Sequence, residues 1–175
     1  KEGEVTLRLT AKHHDENQAK RLLDDLETKI RSRVGEFLYG YGDHTSLPQV
    51  VLELLQSKQL TVAAAESLTG GLFSQNLTDL PGASAVFKGG VISYTNEVKH
   101  KLLGVRQDLI DQVGVVSEDC AKEMAIGVRK QCDSDIGISF TGVAGPSTQE
   151  DQPVGTVFIG LATETSTIVY PFAFN

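Results

Sequence analysis

Along residues 4–11, Glu-Val-Thr-Leu-Arg-Leu-Thr-Ala, apolar and polar side chains alternate, which predicts a half-buried strand. From Asp15 to Val34 the period lengthens. Ala19, Leu22, Leu23, Leu26 and Ile30 recur at helical spacing, and Gly35 supplies a stop. Phe37-Leu38-Tyr39-Gly40 predicts a short strand, and Tyr41 to Ser46 a loop. This strand-helix-strand unit is too short to bury a large core of its own, so it is expected to dock on the rest of the chain. The boundary is placed at Asp43 to Ser46, dividing the chain into units 1–45 and 46–175.

Beyond Ser46 the pattern alternates between helix and strand. Pro48 suits a first helical turn, followed by Val50, Val51, Leu54 and Leu55 as an inward stripe. The small apolar run Thr61 to Ala65 predicts a strand, Gly71 to Thr78 a helix, and Pro81-Gly82 a break. Phe87 to Thr95 predicts another strand, and Asn96 caps a short helix ended by Gly104. Ser117 caps the next helix, with Glu118 and Asp119 in its first turn and Ala121, Met124, Ala125 and Val128 facing inward. Ile136 to Phe140 reads as a strand and residues 147–153 as a polar, mobile loop. Gly155 to Thr163 and Thr167 to Phe174 read as a hairpin. Such alternation predicts an α/β layered fold with some antiparallel pairing, and no internal repeat interrupts it.

Composition narrows the function classes. The formal net charge is −7, and the acidic excess falls beyond residue 60, against a nucleic-acid-binding surface. Residues 1–46 also lack the Gly-x-x-Gly loop with which RNA-binding KH domains clamp a backbone. No apolar run approaches the ~20 residues of a membrane span. The opening residues are charged and alternating, unlike a secretion signal, so a cytoplasmic location is expected. Cys120 and Cys132 fall at the two ends of one predicted helix and are read as reduced, packed thiols. His13, His14 and His44 lack metal-ligand spacing and are read as surface residues; no metal and no cofactor is expected.

Three predicted strand ends carry polar, glycine-rich signatures: Glu66-Ser67-Leu68-Thr69-Gly70-Gly71, Ser93-Tyr94-Thr95-Asn96 with Lys99, and Thr141-Gly142-Val143-Ala144-Gly145-Pro146. Ligands of open α/β sheets bind outside the carboxyl ends of strands, so the three can share one cleft. Ser67 is the candidate nucleophile. A serine hydroxyl needs a base, and Lys99 can serve if burial lowers its pKa. The Tyr94 hydroxyl can relay a proton or hold the pair. Glu66 can pair with Lys99 or satisfy backbone donors, and Thr141 and Gly142 can donate to a ligand. The bland alternative stays open at this level: Ser67 as a helix cap, Lys99 as a solvated face residue and Thr141-Gly142 as simple turn chemistry.

At these motifs the chain resembles the CinA family of competence- and damage-inducible proteins. The matching runs are Ala64 to Gly71, Pro81-Gly82-Ala83-Ser84, Gly89 to Lys99, Leu102 to Val105, Gly114 to Ser117, Thr141 to Pro146 and Pro153 to Val157, in order from about Leu47 to Ala162. The first unit looks like the small α+β KH-like domain that precedes this region in longer members. The resemblance implies a three-layer α/β/α sandwich with a mixed sheet. It also implies a nicotinamide-nucleotide amidase that converts nicotinamide mononucleotide to nicotinate mononucleotide and ammonia in NAD recycling. By position, Ser67 would be the nucleophile, Lys99 its base and Tyr94 an assistant. Glu66, Thr69, Gly70 and Gly71 would supply oxyanion or substrate contacts, with Thr141 and Gly142 touching the substrate. The partner implied is a small nucleotide, on a homodimer, with no nucleic acid or membrane. The competing reading is a non-catalytic interaction module for competence or recombination proteins. Many relatives carry Cys where this chain has Leu68. Relatives also carry an upstream nucleotide-hydrolysing domain and continue past the strand ending at Asn175 into an arginine-bearing helix, so the second unit is expected to be C-terminally truncated.

Overall fold

A computed structural model describes residues 4–42 and 45–174. It divides into two compact units, Lys1–Leu47 and Pro48–Asn175. The predicted boundary at Asp43 to Ser46 and the surface reading of His44 fall partly or wholly outside the described residues.

In the first unit, helix α1 (Glu16–Val34) begins where the apolar spacing predicts. The Asp15 side chain accepts the Asn17 N–H at 2.8 Å and satisfies one of the first-turn donors. Among the described residues the two expected strands are not formed. Residues 4–10 pair with no neighbouring strand, and Gly35–Phe37 is a single 3-10 turn. An alternating segment becomes a strand only when a second backbone offers it a ladder. No residue of α1 is buried, and Leu22 and Leu26 stay exposed.

The second unit is a mixed five-stranded sheet in the order β2-β1-β3-β4-β5. Its strands are β1 (Val62–Glu66), β2 (Phe87–Ile92), β3 (Ile136–Gly142), β4 (Thr156–Ala162) and β5 (Thr167–Ala173). The first three are mutually parallel; β4 and β5 are added antiparallel. Its helices are α2 (Leu47–Lys58), α3 (Leu72–Thr78), α4 (Asn96–Leu103), α5 (Gln107–Gln112) and α6 (Glu118–Gln131). One core joins Leu52, Leu55 and Leu77 of α2 and α3 to Val62 and Ile138. The other joins α4, α5 and α6 to Ala63 and Ala65 on the opposite face of β1. The result is three layers with the sheet in the middle. Alanine suits β1 because both its faces are covered.

Three local features depart from the reading above. Thr95, not Asn96, caps α4, its hydroxyl accepting the Val98 N–H at 3.3 Å. Helix α5 carried no prior signal; its six residues are too few to establish a period. The polar 147–153 segment forms a tight turn in which Gln149 and Gln152 exchange backbone hydrogen bonds.

Candidate active site

Parallel strands β1, β2 and β3 end together, and each hands its next residues to the same place. Ser67 follows β1 and stays aligned with it, its N–H donating to the Phe140 carbonyl of β3 at 3.0 Å. Past β2, Ser93 donates its N–H to the Glu66 carbonyl at 2.8 Å, which carries the ladder one residue further. The chain then turns into α4, whose first turn presents Lys99 inward.

Lys99 is 1% exposed. Its Nζ lies 3.1 Å from Ser67 Oγ and donates to the Ser93 carbonyl at 2.7 Å. An ammonium in so dry a place is disfavoured, and burial pushes the Lys99 pKa down. Cys120 and Glu150 act in the opposite direction. Burial also pushes the Cys120 thiol up to about 12, so it is uncharged at neutral pH and Glu150 is the anion that opposes the shift. A lysine of lowered pKa, one hydrogen bond from a serine hydroxyl, is a base matched to a nucleophile.

The pair opens into a cavity of about 180 Å³. Its wall is made by Ser67, Leu68, Tyr94, Asn96 and Lys99, by Val115 and Val116 before α6, by Thr141 to Gly145, and by Ser147 and Gln149. Two helix-facing hydroxyls brace it: Ser139 Oγ donates to the Ala121 carbonyl and Thr141 Oγ1 to the Val115 carbonyl, at 2.6 and 2.7 Å.

Several expected contributors stand elsewhere. Glu66 does not pair with Lys99. Its carboxylate accepts N–H donors from Gly71, Phe73 and Ser74 and the Ser74 hydroxyl, at 2.6–3.1 Å, and so caps α3. Burial alone would raise its pKa, but those bonds, led by the Ser74 hydroxyl, hold the carboxyl below its usual range. The nearby Thr69 hydroxyl lowers it further, although its buried Oγ1 falls outside ordinary hydrogen-bond geometry. The Gly70 and Gly71 N–H groups are already taken, by the Ser67 carbonyl and by Glu66. Among the described residues the Leu68 N–H donates to no protein acceptor. Tyr94 stands on the rim, 74% exposed, and its hydroxyl bonds to neither Ser67 nor Lys99. Thr141 and Gly142 both line the cavity, the hydroxyl of Thr141 being committed to Val115. Val115, Val116, Ser147 and Gln149 were not read as site residues from the sequence, and Asn96 was named only within a strand-end signature and as a helix cap.

Residues 44–175 match the family model for the CinA C-terminal domain, and residues 1–40 that for the damage-inducible protein CinA KH domain. The chain belongs to the CinA family. A protein of Bacillus pumilus named as competence-damage inducible is 57% identical over 174 residues, 99% of this chain and 42% of that protein. One from Geobacillus kaustophilus with the same name is 58% identical over 161 residues, 92% and 39% of the two chains. This CinA chain therefore spans about two fifths of the length of the curated relatives it matches. Among solved structures, the competence damage-inducible protein A of Klebsiella pneumoniae superposes with a TM-score of 0.72 at 31% identity, covering 74% of this chain and 81% of that one. A CinA superfamily protein of Escherichia coli gives 0.71 at 27% identity over 82% and 86%. Among the described residues no helix is long and apolar enough to cross a membrane, and no three His, Cys, Asp or Glu gather as a metal site.

Proposed function

We propose that this CinA chain carries a serine-lysine amidase acting on nicotinamide mononucleotide. One observation carries the reading: the buried Lys99 Nζ lies 3.1 Å from Ser67 Oγ at the foot of a cavity. The substrate comes from the family resemblance, and the cavity volume suits a nicotinamide ring rather than a whole nucleotide. Neutral Lys99 takes the Ser67 proton as Oγ attacks the carboxamide carbon. The tetrahedral oxyanion needs donors, and the unclaimed Leu68 N–H, next to the nucleophile, is the first candidate. Lysine, now protonated, returns the proton to the departing nitrogen, and ammonia leaves. Water, deprotonated by the same lysine, attacks the acyl-serine, and nicotinate mononucleotide is released as Oγ regains its proton.

A non-catalytic interaction module gives no reason to bury a lysine beside a serine, because an unpaired ammonium is costly to desolvate. Ammonia release from nicotinamide mononucleotide by the full chain tests the proposal. Ser67→Ala and Lys99→Met should each lower kcat by a factor on the order of 10³ or more. Undetectable turnover in the unaltered, folded protein would move the weight to the interaction module.

A further inference from the structure

Between β3 and β4 the backbone accepts an unfavourable conformation that the serine-lysine chemistry does not require. Glu150 and Asp151 stand side by side at φ 51° and 59°, in the left-handed region that suits glycine. They form the tip of the turn closed by Gln149 and Gln152, whose backbone groups bond at 3.3 and 2.8 Å. The turn delivers the Glu150 carboxylate to the chain before α6, where Oε2 accepts the Val116 N–H at 2.9 Å. Room for it is made by Gly114. A Cβ there would collide with Oε2 and come within 2.7 Å of Cδ of Glu150.

That single bond joins two stretches of the cavity wall. Ser147 and Gln149 belong to one, Val115 and Val116 to the other. A cavity of about 180 Å³ is smaller than the roughly 300–1,000 Å³ that encloses a drug-sized ligand, so part of a nucleotide would extend out of it past the exposed Ser147 and Gln149.

We propose that Glu150 is a positioning residue, clamping the 147–152 turn onto the chain before α6 and so shaping the cavity mouth for the nucleoside part of the substrate. The choice of substrate rests on the amidase reading; the clamp does not. An anionic acceptor on a backbone N–H makes a stronger bond than a neutral one, and this bond fixes both segments at once.

The test compares the full chain with Glu150→Ala and Glu150→Gln, using nicotinamide mononucleotide and free nicotinamide as substrates and amide exchange at Val116 as a second readout. Glu150→Ala should raise KM for the mononucleotide by a factor on the order of ten, with kcat little changed at a pH where Lys99 is neutral in both proteins, because losing the Glu150 charge only favours the neutral base and the bond itself acts on binding. KM for nicotinamide should move much less. Glu150→Gln keeps an acceptor and should restore most of the loss. Val116 should exchange faster in the alanine variant and stay protected in the glutamine variant. Unchanged KM in the alanine variant, or an equal loss with both substrates, overturns the proposal. If the unaltered protein turns over neither compound, the amidase reading fails by itself. Exchange then decides: protection lost with Ala and kept with Gln upholds the clamp, and equal protection in all three proteins overturns it.

Discussion

Lys99 shows how a residue acquires chemistry from its surroundings. On a short helix in sequence it is indistinguishable from a solvated face residue, and its neighbours Lys101 and His100 are both exposed. Only packing takes it out of water. The consequence is a pH dependence with a definite sign. A base must be neutral to act, so kcat/KM should fall as pH drops through the Lys99 pKa. Because burial lowers that pKa from 10.5, the fall should occur below the ordinary lysine range. A pH profile checks this, and a limb at or above 10.5 would contradict it. Lys99→Arg, which stays protonated at every accessible pH, should be inactive across the profile. Ser67 could be named as a candidate because its hydroxyl falls between a predicted strand and a glycine-rich turn, and two other strand ends carry similar signatures. The partners of Glu66 were not, since sequence offered it Lys99 and the backbone of α3 alike.

Elements position these residues by close approach. Helices α4 and α6 touch where Gly127 faces the Leu103 carbonyl, and a Cβ at that glycine would collide with the carbonyl oxygen. The neighbour is backbone at the end of α4, so it cannot swing aside as a side chain would. Gly127→Ala should therefore part the two helices at a cost of about 1–3 kcal/mol, as overpacking generally does. Lys99 rides on α4, so activity should fall along with stability. Denaturant unfolding together with kinetics checks both, and an alanine variant equal to the parent in both would show that the helices already have slack. The sequence presents Gly127 as an unremarkable residue inside a helix. Its role depends on a second helix that is nearby in space and distant in sequence.

Across the whole molecule, burial is unevenly shared. Helix α6 buries Cys120, Ala121, Met124, Ala125 and Val128, whereas α1 buries none of its residues. Helices hold in water mainly through the packing of one face, so protection should follow burial rather than length. Hydrogen exchange read by mass spectrometry should find α1, although it is the longer, opening well before α6. Equal protection would mean that α1 is covered by something in solution. The same unevenness explains the two strands expected in the first unit. Alternation at 4–11 states which face would be buried, but among the described residues no neighbouring ladder meets it.

The sequence by itself determined the helix and strand order from Leu47 onward apart from α5, three of the caps and stops, and the choice of Ser67 and Lys99 as candidates. Those are local matters of period, capping chemistry and residue type, and they do not depend on distant contacts. Tertiary structure alone decided that Lys99 is dry, that Glu66 belongs to α3, that the Gly70 and Gly71 donors are spent, and that Glu150 closes the wall. Each of these depends on which groups meet across the ends of three strands. The sheet register sets that, and no single segment encodes it.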